Sequence, residues 1–65
     1  TDAGFKYQQL YQALDSLLEK EKAVIILHYF EDLSIKEIAS ILQIPSGTVK
    51  YHLATGRAHL KSLLQ

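Results

Sequence analysis

Pro45, the single proline in the chain, restricts the fold more than any other residue. It has no backbone N–H and its ring clashes with the preceding turn, so a helix arriving from the N-terminal side must end before it. The same residue is tolerated where a helix begins, because the first N–H groups there have no intrahelical partner. Beyond it, Val49, Leu53, Gly56, Leu60 and Leu63 recur at steps of 4, 3, 4 and 3, the seam of one amphipathic helix. The spacing predicts a helix from about Ser46 to Leu64.

Ahead of Pro45, Ser34-Ile35-Lys36-Glu37 matches the S-x-x-E capping box, in which serine and glutamate each satisfy the other's backbone N–H. It predicts a helix from Ile35 to about Leu42, with Ile38, Ala39 and Leu42 inward and Ala39 small enough for a close crossing. Ser16-Leu17-Leu18-Glu19 matches the same box. It predicts that a first helix, over about Phe5 to Asp15, ends there and that a second runs from about Leu17 to Phe30. Tyr7, Leu10, Tyr11, Leu14, Leu17 and Leu18 fall on one face of the first, and Thr1 to Gly4 read as a lead-in. Val24 to Phe30 is apolar nearly all round, which implies burial on more than one side or a partner surface.

The chain is therefore expected to be all-α: a compact four-helix domain, residues 1–65, and the C-terminal fragment of a longer protein. With 65 residues it is close to the lower limit for folding without staples, and it has no cysteine, so a 48% hydrophobic composition must supply the core. No apolar run approaches the roughly 20 residues of a membrane span. No signal peptide is visible, so the expected location is the cytoplasm.

A formal net charge of zero conceals a split. Residues 1–42 hold all seven acids against four lysines, whereas residues 43–65 hold Lys50, Arg57 and Lys61 and no acid. Such asymmetry points to a nucleic-acid or acidic partner on the C-terminal side. Two short helices joined by a tight turn, the second carrying the cations, is the helix-turn-helix plan, in which the second helix enters the DNA major groove. At about 100° per residue, with Val49 and Leu53 inward, Gly47, Tyr51, Ala54, Thr55 and Ala58 point outward. Lys50, Arg57 and Lys61 line one flank, and Thr48, His52, Thr55 and His59 the other. The cations suit phosphates, and the helix N-terminus with Ser46 and Thr48 suits one more. Gly47, Thr48 and Ala54 allow close approach, while Lys50, Tyr51, His52 and Thr55 are the candidates for base contact. The expected DNA-binding set is thus Ser46, Gly47, Thr48, Lys50, Tyr51, His52, Thr55, Arg57 and Lys61.

Ser16 and Ser34 are explained as caps, His28 as a core-edge histidine, and Tyr29 and Phe30 as core. His52 and His59 are seven residues apart, too far to chelate one metal. Neither an enzyme site nor a cofactor or metal site is expected.

At these residues the chain resembles region 4 of bacterial RNA polymerase sigma factors of the extracytoplasmic-function type. The family pattern runs through an L-x-x-L-P-like turn, an R-Y-x-E-G-L-S-like run, E-I-A-x-x-L and P-x-G-T-V-K-S-R-L. Here the corresponding segments are Leu14-Asp15-Ser16-Leu17-Leu18, His28 to Ser34, Glu37-Ile38-Ala39-Ser40-Ile41-Leu42 and Pro45 to Leu53. The resemblance implies recognition of the promoter −35 element, docking on the β flap of the RNA polymerase core, inhibition by an anti-sigma factor, and association with the bacterial nucleoid when polymerase-bound. Leu18 replaces a usual proline and Gln43 a usual glycine, at a cost of about 1 kcal/mol if Gln43 is left-handed. Tyr51, His52, Ala54, Thr55, Ala58 and His59 stand at positions often filled by Ser, Arg, His, Arg, Lys and Arg, so weak DNA binding is expected from the isolated domain. Thr48 to Leu53 also fits the T-V-K-x-H-L run of LuxR-type response-regulator output domains. That is the alternative reading, together with a module acting chiefly through protein contacts.

Overall fold

The computed structural model describes residues 2–64, with side chains from Tyr7 to Leu64. Helix α1 spans Asp2–Asp15, α2 Glu19–Ile25, α3 Ile35–Leu42 and α4 Ser46–Leu64, and α2 runs directly into a π-helical turn at Ile26–Phe30. The all-α expectation holds, and α3 and α4 have the bounds expected from Ser34 and Pro45. Helix α1 begins earlier than expected, since Asp2 to Gly4 are helical; Thr1 lies outside the described residues.

The Ser34 box forms as anticipated. Glu37 N–H donates to Ser34 Oγ at 3.1 Å, and Ser34 N–H donates to Glu37 Oε1 at 3.0 Å. The Ser34 N–H, and after it the Ser34 side chain, holds the Glu37 carboxyl below its ordinary range. The turn that follows α3 places Gln43 at φ 56°, ψ 47°, the left-handed cap a glycine would occupy without strain.

The Ser16 box does not form. Ser16 closes α1 instead, its hydroxyl donating to the Gln12 carbonyl at 3.2 Å. Leu18, in an extended conformation, takes the cap position of α2, and its N–H donates to Glu21 Oε1 at 3.3 Å. The reason is the inward side of α2, on which Glu21, Val24 and Ile25 are all buried. Starting the helix at Glu19 brings Glu21 to its third position, the glutamate site of a capping box, and into the interior.

The second helix does not end as regular α-helix. Glu31 N–H bonds the Ile26 carbonyl five residues back at 3.1 Å, the π pattern, and Leu33 N–H bonds the Leu27 carbonyl at 3.0 Å across a left-handed Asp32 at φ 58°. The turn carries Tyr29 and Phe30 to the surface, 50% and 47% exposed, where they were expected in the core. His28 is half-buried, as expected, and its Nδ1 donates to the Leu33 carbonyl at 2.8 Å.

The core is Leu14, Leu17, Val24, Ile25, Ile38, Val49 and Leu53, flanked by half-buried residues that include Leu10, Ala39, Leu42 and Leu60. Tyr7, Tyr11 and Leu18 are exposed, because this part of the chain buries only Ala13 and Leu14 of α1 and Leu17 in the turn after it. Tyr11 instead meets Phe30 edge-to-face, with ring centroids 6.4 Å apart. Leu63 leaves the expected α4 seam and is 50% exposed, lining an open crevice with Gln9, Gln12, Ala13 and Ser16.

Candidate nucleic-acid interface

Helix α4 is held by contacts that differ along its length. Its first half packs Val49 and Leu53, at 0% and 3% exposure, against α2 and α3. At Gly56 the backbone of α4 meets α2 so closely that a Cβ there would lie 2.5 Å from Ile25 Cδ1 and 3.3 Å from Glu21 Cβ. Glycine at this position is a requirement of the helix crossing.

Beside that crossing lies the one buried charged side chain among the described residues, Glu21. His59 Nδ1 donates to Glu21 Oε1 at 2.9 Å and Leu18 N–H donates to the same oxygen. Burial alone would push the Glu21 carboxyl up, but the Thr55 hydroxyl, His59 and the Leu18 N–H stabilise its charged form and hold it below the ordinary value of 4.5. The group therefore stays ionised through neutral pH, and its charge clamps α4 to α2. This network was not read from the sequence, where Glu21 sits in the charged run Glu19-Lys20-Glu21-Lys22. Two signals were present: Glu21 shares the i, i+3, i+4 face of Val24 and Ile25, and Thr55 and His59 are an i, i+4 pair on one flank of α4.

What remains outward on α4 is the candidate interface. Gly47, Lys50, Tyr51, Ala54, Arg57, Ala58 and Lys61 are exposed, as is Ser46 at the start of the helix. An added Cβ at Gly47 would meet nothing within 4 Å, so this turn is open to a ligand surface. Tyr51 is the one large side chain on the ridge, 65% exposed, and its ring stands edge-on to His52 at 5.7 Å. Lys50, Arg57 and Lys61 fall within about 40° of one another around the axis.

Four expected site residues are placed otherwise than as free outward groups. Thr55 is half-buried, its hydroxyl donating to the His52 carbonyl at 3.3 Å and facing Glu21, so it turns inward. Thr48 and His52 are half-buried. His52 lines a small apolar crevice of about 170 Å³ with Lys20, Val24, Leu42 and Ile44. Arg57 is exposed, but its Nη1 donates to Tyr29 OH at 2.9 Å, tying it to the π turn. Lys20, overlooked in the sequence because acids surround it, stands at the rim of the same crevice and adds a cation beside α4.

A profile of the family "Sigma-70, region 4" matches residues 7–60, which takes in α2, the π turn, α3 and α4 as far as Leu60, with Lys61 just beyond it. The chain belongs to the sigma-70 region 4 family. It is 43% identical over 54 residues to the ECF RNA polymerase sigma factor SigW of Bacillus subtilis (strain 168), covering 83% of this chain and 29% of that protein. It is 45% identical over 49 residues to the RNA polymerase sigma factor SigV of the same organism, covering 75% of this chain and 30% of that protein. To the RNA polymerase sigma factor FliA of Escherichia coli (strain K12) it is 38% identical over 42 residues, 65% of this chain and 18% of that protein. The chain thus spans less than a third of the length of these relatives. In region 4 terms, α3 and α4 form the helix-turn-helix, and α1, α2 and the π turn build the body to which α4 is clamped. Among the described residues, no helix is long and apolar enough to cross a membrane.

Proposed function

We propose that this chain is the promoter-reading domain of a sigma factor. It forms one helix-turn-helix unit of a longer protein and directs RNA polymerase to promoters by placing α4 in the major groove of the −35 element. The observation that carries the reading is the acid-free α4, rigidly seated on α2 and α3 and presenting an exposed ridge with three cations beside it, in a chain of the region 4 family. Lys50 and Lys61 contact phosphates, as do the remaining donors of Arg57. Ser46 and the first turn hold one more phosphate at the helix N-terminus, Gly47 and Thr48 let the backbone close on the groove, and Tyr51 meets base edges. His52 and Thr55 support the ridge from behind.

The exposed rings of Tyr11, Tyr29 and Phe30 lie on the α1 and π-turn side of the molecule. They favour a second contact, with the β flap of the polymerase core, and offer an anti-sigma factor an apolar target. The protein acts in the bacterial cytoplasm, at the nucleoid, as a binding protein without catalytic chemistry of its own. The family match and the Gly56-Arg57-Ala58 tail favour this reading over a response-regulator output domain.

The test is binding to duplex DNA carrying a randomised −35 segment, measured across a salt series. The three phosphates neutralised by Lys50, Arg57 and Lys61 give a log–log slope of about −2.7, since each contributes roughly −0.9. A binding constant indifferent to salt, with no sequence enriched, refutes the proposal.

A further inference from the structure

The α4 ridge has an unusual donor and acceptor inventory for a groove-reading helix. Base edges in the major groove are read by arginine or lysine on guanine, asparagine or glutamine on adenine, aspartate or glutamate on cytosine N4, and apolar groups on the thymine methyl. From Ser46 to Leu64 there is no asparagine, glutamine, aspartate or glutamate. Arg57 is the only arginine in the chain, and it is bonded to Tyr29 at the flank facing the π turn. Thr55 faces Glu21 and His52 is half-buried against α2 and α3. Of the remaining polar side chains, Lys50 is exposed at the ridge edge and Ser46 at the helix start, so the polar readers are withdrawn from the centre of the ridge. Tyr51 remains, exposed and steadied by the His52 ring, with Ala54 and Ala58 beside it on the same face.

We infer that Tyr51 is the principal specificity-determining residue and that it reads thymine through the C5 methyl group, by van der Waals contact of its ring. Ala54, one helical turn on, contacts the neighbouring step. Lys50 sits at the ridge edge and serves the phosphates. The inference rests on the assignment of α4 as the recognition helix. Its chemistry is distinct from that assignment, because methyl contact adds discrimination without adding to the salt dependence.

The experiment uses the full-length protein bound to RNA polymerase core, with duplexes randomised over the −35 segment. Enriched thymines are then replaced one at a time by dU, which deletes only the methyl group. The expected result is one or two enriched thymines at which dU weakens binding about fourfold each, the equivalent of roughly 0.8 kcal/mol per buried methyl. Tyr51→Ala removes the dT/dU ratio and keeps the salt slope, and Tyr51→Phe keeps both. Tyr51 supports no core contact, so these variants fold; the dU arm in any case alters only the DNA. Enrichment of an element whose dT and dU forms bind equally overturns the inference while leaving α4 as the recognition helix. A Tyr51→Phe variant as impaired as Tyr51→Ala also overturns it, since the hydroxyl and not the ring would then be the reader. No enrichment at all, with affinity unmoved by Lys50→Ala, overturns both.

Discussion

Glu21→Gln isolates the buried charge that joins α2 to α4. The substitution keeps shape and one carbonyl oxygen, so Leu18 N–H, His59 and the Thr55 hydroxyl can still find an acceptor. What it removes is the charge. Bonds to an ionised partner contribute about 1.5–3 kcal/mol and neutral ones about 0.5–1.5. The bonds from Leu18 N–H and His59, each weakened by about 1 kcal/mol, would sum to about 2. The Thr55 hydroxyl, whose hydrogen is shared with the His52 carbonyl, adds less, and His59 is 55% exposed, so its share is screened by solvent. A loss of about 2 kcal/mol follows, and in a domain this small that lowers Tm by roughly 10 °C. The assay is thermal unfolding by circular dichroism from pH 3 to pH 8, wild type beside variant. Because the folded Glu21 carboxyl lies below its ordinary value of 4.5, its stabilisation is complete above that value and drains away as pH falls through the folded value. The two melting curves therefore stand apart at neutral pH and converge in acid. A gap of the same size at every pH, or no gap at pH 7, would show that the Glu21 charge does not secure α4.

Three further outcomes are expected. Gly56→Ala places a Cβ against Ile25 Cδ1; the overpacking, about 1–3 kcal/mol, exceeds the helix-propensity gain of about 1, and Ile25→Val, which deletes that methyl, rescues it in a double-mutant cycle. Gln43→Gly and Asp32→Gly relieve left-handed backbone and each raise stability by roughly 0.5–1 kcal/mol, read as a higher urea midpoint with unchanged m. Lys50→Ala weakens DNA binding across all sequences and flattens the salt slope by about one, measured by fluorescence anisotropy at several salt concentrations.

Much of the fold is legible in the chain because it is punctuated by residues with a local mechanism. Ser34 with Glu37 starts α3, and Pro45 starts α4 with no help from tertiary contacts. The cationic flank is equally local, since charges without nearby acids stay on the surface. The misreadings are all tertiary. Ser16 has the same spelling as Ser34, yet the pull of Val24 and Ile25 into the core moves the start of α2 to Glu19 and sends Ser16 back to α1. Thr55 counts as outward by its angle alone, and only the arrival of Glu21 from α2 turns it into an internal partner. Tyr29 and Phe30 have core composition, but their direction depends on a π turn that no periodicity announces.

That turn has a consequence for how the chain tolerates length changes. A π turn holds one residue more than the α-helical turn it replaces. A single-residue deletion within residues 26–28 would remove the surplus and leave the later side-chain directions nearly unchanged. Relaxation of the stretch to ordinary α-helix at its present length would instead rotate every later side chain of the segment by about 100°. Tyr29 would swing off Arg57 and Phe30 off Tyr11, while the α2 core upstream stayed as it is. In this chain one surplus residue thus sets the aim of an entire aromatic surface, independently of α4.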